Sequence, residues 1–180
     1  MKSYSIVSST IKIRTFAKGL LSAFAHDLEL SVIPTRATAG PLPNGKWSGL
    51  IEIAIDQIKV AGVVKKGKLV EGVLSDHDRA EIERRIRDAC APIKGFVLSA
   101  EANVPPSGNA EDPKVTIELG DRPALPIAAA ITLRSRGDDI DVRAGGKLSM
   151  RALGIPEIKG PMGAFSLKDD IEFDAALTMR

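Results

Sequence analysis

The sequence predicts a mainly β fold, an eight-stranded antiparallel β-barrel with one α-helix. Three observations predict it. Apolar and polar residues alternate with period two in segment after segment, turn-forming residues separate those segments, and a single stretch carries helical spacing. Strands with one wet and one dry face are of the antiparallel type. About eight of them expose edges that closure removes, and a barrel of that size holds an interior that side chains fill or one small ligand occupies. A two-sheet sandwich is the competing architecture; a long strand over residues 124–134 favours the barrel.

Taken along the chain, Ile11 and Ile13 alternate with Lys12 and Arg14, and Leu28, Leu30 and Val32 alternate with Asp27, Glu29 and Ser31. In each case the charged or polar set is assigned to the wet face. Pro41-Leu42-Pro43-Asn44-Gly45 is a turn before Lys46-Trp47. Ile51, Ile53 and Ile55 then alternate with Glu52, Ala54 and Asp56, and Lys66-Gly67 marks the next turn. The one helix runs over residues 76–89. Ser75 opens it with Asp78 three residues on, in capping-box spacing, and Pro92 follows its end. Ile82, Ile86 and Cys90 share one face, while Glu81 with Arg85 and Glu83 with Arg87 offer i,i+4 ion pairs on the other. Such a helix lies across the sheet or caps one barrel end.

Residues 103–113 hold three prolines and one glycine among polar residues and read as a mobile surface loop. Alternation resumes with Val115, Ile117 and Leu119 against Thr116 and Glu118. Gly137-Asp138-Asp139 and Gly145-Gly146 read as turns. Leu148 and Met150 alternate with Lys147 and Ser149, and Ile171, Phe173 and Leu177 with Asp170, Glu172 and Asp174. Because the pattern keeps the same character throughout the 180 residues, we expect a single domain.

Composition narrows the function. Aromatic residues make up only 4% of a chain that is 44% hydrophobic, so any pocket is walled by aliphatic side chains and suits flexible aliphatic cargo better than planar cofactors. The 25 basic and 23 acidic residues are interspersed, leaving no basic block to follow a phosphate backbone, and nucleic acid is not an expected partner. No window approaches the roughly 18 apolar residues of a spanning helix, so stable membrane insertion is not expected. The N-terminus lacks a signal-peptide apolar stretch, and the single cysteine, Cys90, has no internal disulfide partner. Both lead us to expect a cytoplasmic protein.

Candidate chemistry is sparse. His26 and His77 each have acidic neighbours, yet no His-x-His or Cys-x-x-Cys spacing preorganises a metal site. His77 reads as a first-turn helix residue, and His26 as a strand-end hydrogen-bonding residue or a contact to a ligand head group. No Gly-x-Ser-x-Gly occurs, and Cys90 sits at a helix end rather than at the start that lowers a thiol pKa. The glycines at 145–146 and 160–163 lack phosphate-binding spacing. Arg122, Arg134, Arg143 and Arg151 are either solvated strand residues or contacts for a pyrophosphate at the barrel mouth. We expect no enzyme, no catalytic residue, no metal and no cofactor.

In order, several segments resemble the YceI-like family, the lipocalin-like polyisoprenoid-binding proteins. They are the opening Tyr4-Ser5-Ile6; Ala25-His26-Asp27-Leu28, similar to a Gly-His-Asp-Leu motif with alanine for glycine; and Ser75 to Ile82 opening the helix. Pro92-Ile93 leading into Phe96-Val97-Leu98-Ser99, the turn Leu119-Gly120-Asp121-Arg122-Pro123, and Leu153-Gly154-Ile155-Pro156 with Lys168-Asp169-Asp170-Ile171-Glu172-Phe173 as the last hairpin complete the set. The resemblance covers most of the chain. It implies an extended eight-stranded lipocalin-like barrel whose pore takes up an isoprenoid chain, and no enzymatic reaction.

The expected inward, ligand-binding set is Ile11 and Ile13, His26, Leu28 and Leu30, Ile51 and Ile53, Ile131 and Leu133, Leu148 and Met150, and Phe173 and Leu177. Three functions follow from different classes. The first is a non-enzymatic carrier of an isoprenoid or other long-chain apolar lipid. The second is a ligandless structural or interaction module that forms a homodimer. The third, a metal- or His-dependent enzyme, requires His26 and His77 to approach each other.

Overall fold

The computed structural model describes residues 4–19, 26–91, 93–103, 107–120, 122–159 and 166–180. β1 (Tyr4–Thr15) is followed by β2 (Ala17–Lys18), β3 (Asp27–Val32), β4 (Arg36–Pro41), β5 (Trp47–Ala54), β6 (Ile58–Lys65) and β7 (Lys68–Val70). After the helix α1 (Asp76–Ala89) come β8 (Gly95–Asn103), β9 (Ser107–Asn109), β10 (Glu111–Leu119), β11 (Leu125–Ile127), β12 (Ala129–Arg136), β13 (Asp139–Ser149), β14 (Ser166–Leu167) and β15 (Asp170–Met179). The mainly β class and the one helix among the described residues match the sequence reading, and every strand pairing given is antiparallel.

β1 organises the sheet. One edge pairs with β15, setting Ile11 opposite Ala175 and Ile13 opposite Phe173. Its other edge is shared: β3 takes the C-terminal half, with Ile13 opposite Leu30, and β4 takes the start, with Tyr4 opposite Ala39. From β4 the order runs through β5, β8 and β10 to β11, and from β15 through β13 and β12 to β9. β3, β6 and β7 branch from β1.

The expected strand count and closure are corrected. Among the described residues the hydrogen-bonded ladder is an open sheet of thirteen strands, not a closed ring of eight. The reason is that runs of one periodicity are interrupted. β3 and β4 are parted at residues 33–35, where Ile33 N–H turns to Gln57 O at 3.3 Å and Thr35 N–H to Glu52 O at 2.8 Å. Opposite this break a 3-10 turn, Ile55–Gln57, parts β5 from β6. The run 124–134 is likewise two strands. β11 pairs with β10 and β12 with β13, and Ala128 alone stands between them.

Two loop assignments are also corrected. Within residues 103–113, β9 pairs with β12 and β10 already begins at Glu111. Pro113 is accommodated because the register shifts between Glu111 and Lys114, where Asp112 takes a φ of 45° and no ladder donor is needed from proline. Gly145 and Gly146 lie inside β13, not in a turn. A side chain at Gly146 would meet the Ala128 carbonyl oxygen and, at 2.9 Å, the Phe173 ring, so glycine there permits close approach of a neighbouring backbone. The turns read at 41–45, 66–67 and 137–139 are present, though Pro41 still pairs within β4 and Asp139 already begins β13, and Lys66 and Gly67 both have positive φ, 50° and 75°, as a two-residue hairpin turn demands.

The helix begins as its capping box requires. Ser75 Oγ accepts from Asp78 N–H at 3.2 Å while Asp78 Oδ2 accepts from Ser75 N–H at 3.2 Å. Ile82, Ile86 and Ala89 pack on the core, and the helix is tied to β6 by Glu83 Oε1 accepting from Val60 N–H at 3.0 Å and Arg79 Nη1 donating to Ala61 O at 3.2 Å. Pro92, residues 160–163, Ala25 and Asp121 lie outside the described residues.

Candidate functional site

On β1, β13 and β15 side chains of one parity, and on β4, β5 and β8 residues of both, face one cavity of about 510 Å³, within the range of roughly 300–1,000 Å³ typical of ligand sites. β1 supplies Ile11, Ile13 and Thr15; β15 supplies Ile171, Phe173, Ala175 and Leu177; β13 supplies Val142, Ala144 and Leu148. The period of two does this directly, since each such row stands on the same face of its strand. Every member of the inward set expected from the sequence lines this cavity: Ile11, Ile13, His26, Leu28, Leu30, Ile51, Ile53, Ile131, Leu133, Leu148, Met150, Phe173 and Leu177. The wall also includes residues the sequence reading did not assign to it, among them Ala37, Leu98, Ala100, Val115, Ile117 and Ala144. Their signal was the same parity, extended into neighbouring strands.

The two ends differ in chemistry. Trp47 lines the cavity where β1 begins, its ring tilted 35° against Tyr4 with centroids 5.6 Å apart. The other end is bordered by α1, which contributes Asp78, Glu81, Ile82, Arg85 and Ile86 to the lining. Arg85 Nη1 donates to Lys159 O at 3.2 Å, joining the helix to the segment that follows β13. Glu81 is held at a pKa of about 2 by its hydrogen bonds from Arg84 and Arg85. Cys90, at the helix end, lines the cavity too, and burial pushes its thiol up to about 11. It is therefore a protonated, weakly reactive group at neutral pH.

Thr38, Ser48 and Ser99 also line this space, whereas the arginines singled out in the sequence do not. Arg122 donates to Leu153 O at 2.8 Å, and neither it nor Arg134, Arg143 or Arg151 lines the cavity; all four are exposed. The cationic side chains that do border it are Arg85 and Lys159. His26 is in the wall, whereas His77 is exposed on the first turn of α1 and is not. Among the described residues no group of three or more His, Cys, Asp or Glu side chains is placed to hold a metal ion. No helix among them is long and apolar enough to cross a membrane.

Two polar residues of β1 and β3 are buried, and one of them, Glu29, departs from the wet face expected for it. Glu29 is buried, 1% exposed, on the face opposite the cavity row. Burial alone raises its pKa, but the ammonium of Lys12 at 3.1 Å and the guanidinium of Arg14 at 3.0 Å outweigh it and hold the carboxyl below the ordinary range. Thr15 is 5% exposed, and its Oγ1 is the buried side-chain polar atom, among the described residues, with no hydrogen-bond partner.

No protein-family model matches the chain, and no curated protein matches it in sequence. Among solved structures, the crystal structure of BcnA from Burkholderia cenocepacia superposes with a TM-score of 0.61 over 94% of this chain and 95% of that chain, at 11% sequence identity. That likeness extends over nearly the whole of both chains and establishes a shared fold.

Proposed function

We propose that this protein binds and carries a long-chain apolar lipid, an isoprenoid chain in particular, within the cavity, and that it does so without catalysing a reaction. The observation that carries the reading is the cavity of about 510 Å³ walled by Ile, Leu, Val, Ala and Met from successive strands. A molecule buried there gains roughly 25 cal/mol for each Å² of apolar surface withdrawn from water, without any specific polar partner. Aliphatic walls with few rings favour a flexible chain over a flat cofactor. The whole-chain fold likeness to BcnA supports the architecture, and the resemblance of the His26-Asp27-Leu28 and Ser75 to Ile82 segments to a polyisoprenoid-binding family supports the isoprenoid class. A cytoplasmic setting belongs to the same proposal and rests on the single buried thiol of Cys90.

Native mass spectrometry of freshly purified protein tests it. The expected spectrum contains a protein species carrying one lipid mass, released on denaturation and identified in the organic extract. Extracts without lipid, together with no uptake of geranylgeraniol by the purified protein, would falsify the carrier reading. A clean dimer mass in that same experiment favours the ligandless interaction module instead.

A further inference from the structure

Along β1 the inward row reads Ile11, Ile13, Thr15. The first two are the side chains an apolar wall requires. At the third, threonine stands where valine has the same shape, so the one chemical difference is a hydroxyl among hydrocarbon. Oγ1 has neither water contact nor hydrogen-bond partner, a state that native proteins avoid because an unmade hydrogen bond forfeits the hydration that burial removed. A β-strand Thr meets no requirement of the fold that Val would not meet as well.

Position gives the hydroxyl a use. Thr15 lies directly opposite Leu28 in the ladder, and His26, the next residue of the same parity beyond Leu28, lines the same cavity. One staggered step about χ1 carries Oγ1 into the well the methyl occupies while the methyl moves on to the third, and so brings the hydroxyl to bear on the cavity. We infer that Thr15 is the internal anchor for a polar terminal group of the bound lipid, a hydroxyl or carbonyl oxygen, seated beside His26. The cargo is then an amphiphile with an oxygen at one end, and it enters in one direction, its hydrocarbon running from Thr15 toward Trp47. The inference rests on the carrier reading and adds to it the class of ligand and its orientation.

The test compares geranylgeraniol with the hydrocarbon that carries hydrogen in place of its hydroxyl, titrated into the full chain and followed by the fluorescence of Trp47, the single tryptophan. Wild-type protein is expected to bind the alcohol roughly five- to tenfold more tightly. Thr15→Val, isosteric and free of the orphan hydroxyl, is expected to bind both ligands alike; Thr15→Ser retains the preference. Equal wild-type affinities, or a preference that survives in Thr15→Val, overturn the anchor and leave the carrier reading standing. Failure of wild-type protein to bind either molecule overturns the anchor, and together with lipid-free extracts it overturns the carrier reading as well.

Discussion

Glu29 has an asymmetric energetic role because its partners are wetter than it is. Its side chain is 2% exposed, whereas those of Lys12 and Arg14 are 41% and 37% exposed. Removing the acid lets both cations return to water; removing the cations strands a carboxylate where water does not reach. Glu29→Gln is therefore expected to cost about 1–2 kcal/mol and the double variant Lys12→Met with Arg14→Met about 3 kcal/mol, as read from urea denaturation midpoints. Equal losses would show that the carboxylate is hydrated. This is also where the sequence was misleading. Alternation correctly put Leu28 and Leu30 on the cavity side and Glu29 on the other, but which of two faces is dry is a matter of what neighbouring strands place over it. The ion pairs join residues fifteen and more positions apart, beyond any local pattern. Thr15 escaped notice for a related reason: its parity was legible, while the want of a partner for its hydroxyl belongs to the folded surroundings alone.

At the scale of single elements, the bounds and cap of α1 were legible almost to the residue, because capping and i,i+4 spacing are local and the side chains of Ser75, Asp78, Glu81 and Arg85 meet within one turn or two, whereas the wet face expected for Glu83 is not found, since its side chain is 16% exposed and accepts from Val60 N–H. Asp78 is lowered chiefly by the Ser75 hydroxyl and Glu81 by Arg84 and Arg85. Carboxyls whose pKa is depressed in the folded state stabilise it fully above their unfolded values, near 4, and lose that contribution as pH falls through the folded ones. Helix ellipticity and Tm are thus expected to stay level from neutral pH to about 5 and to decline from there toward pH 2, where Glu81 takes up its proton. Ser75→Ala, which removes the cap, should cost about 1 kcal/mol at neutral pH and flatten that decline. β13 was less legible, since two adjacent glycines are the ordinary mark of a turn and only the nearness of Ala128 explains one of them. The two positions are separable by experiment. Gly146→Ala drives a methyl against the Ala128 carbonyl and the Phe173 ring and should lose about 2 kcal/mol, whereas Gly145→Ala, whose nearest new contact is 3.4 Å from Phe173 O, should lose clearly less. Equal thermal shifts in the pair would remove the close-approach argument.

For the molecule as a whole, local alternation predicted strands and an apolar interior, but not how the ladder is cut. Interruptions at residues 33–35 and 55–57 depend on backbone groups of distant segments, which no period-two pattern encodes. Whether the interior is space or packed side chains was equally beyond composition, because the same aliphatic residues build either. A substitution that enlarges the wall distinguishes them by sign. Ala100 on β8 and Ala144 on β13 both line the cavity and are separated in the sheet by β5, β4, β1 and β15. In a packed core, Leu at either position forces neighbouring side chains off their rotamers and destabilises. In a cavity, the added methylenes fill space and gain contacts that the empty protein lacks. Ala100→Leu combined with Ala144→Leu is accordingly expected to raise the Tm of lipid-free protein by roughly 3–8 °C and to abolish uptake of geranylgeraniol. The gain in one property and the loss in the other must appear together, since both come from the same volume. A lowered Tm with uptake intact would mean that the lipid, if any, sits somewhere other than this cavity.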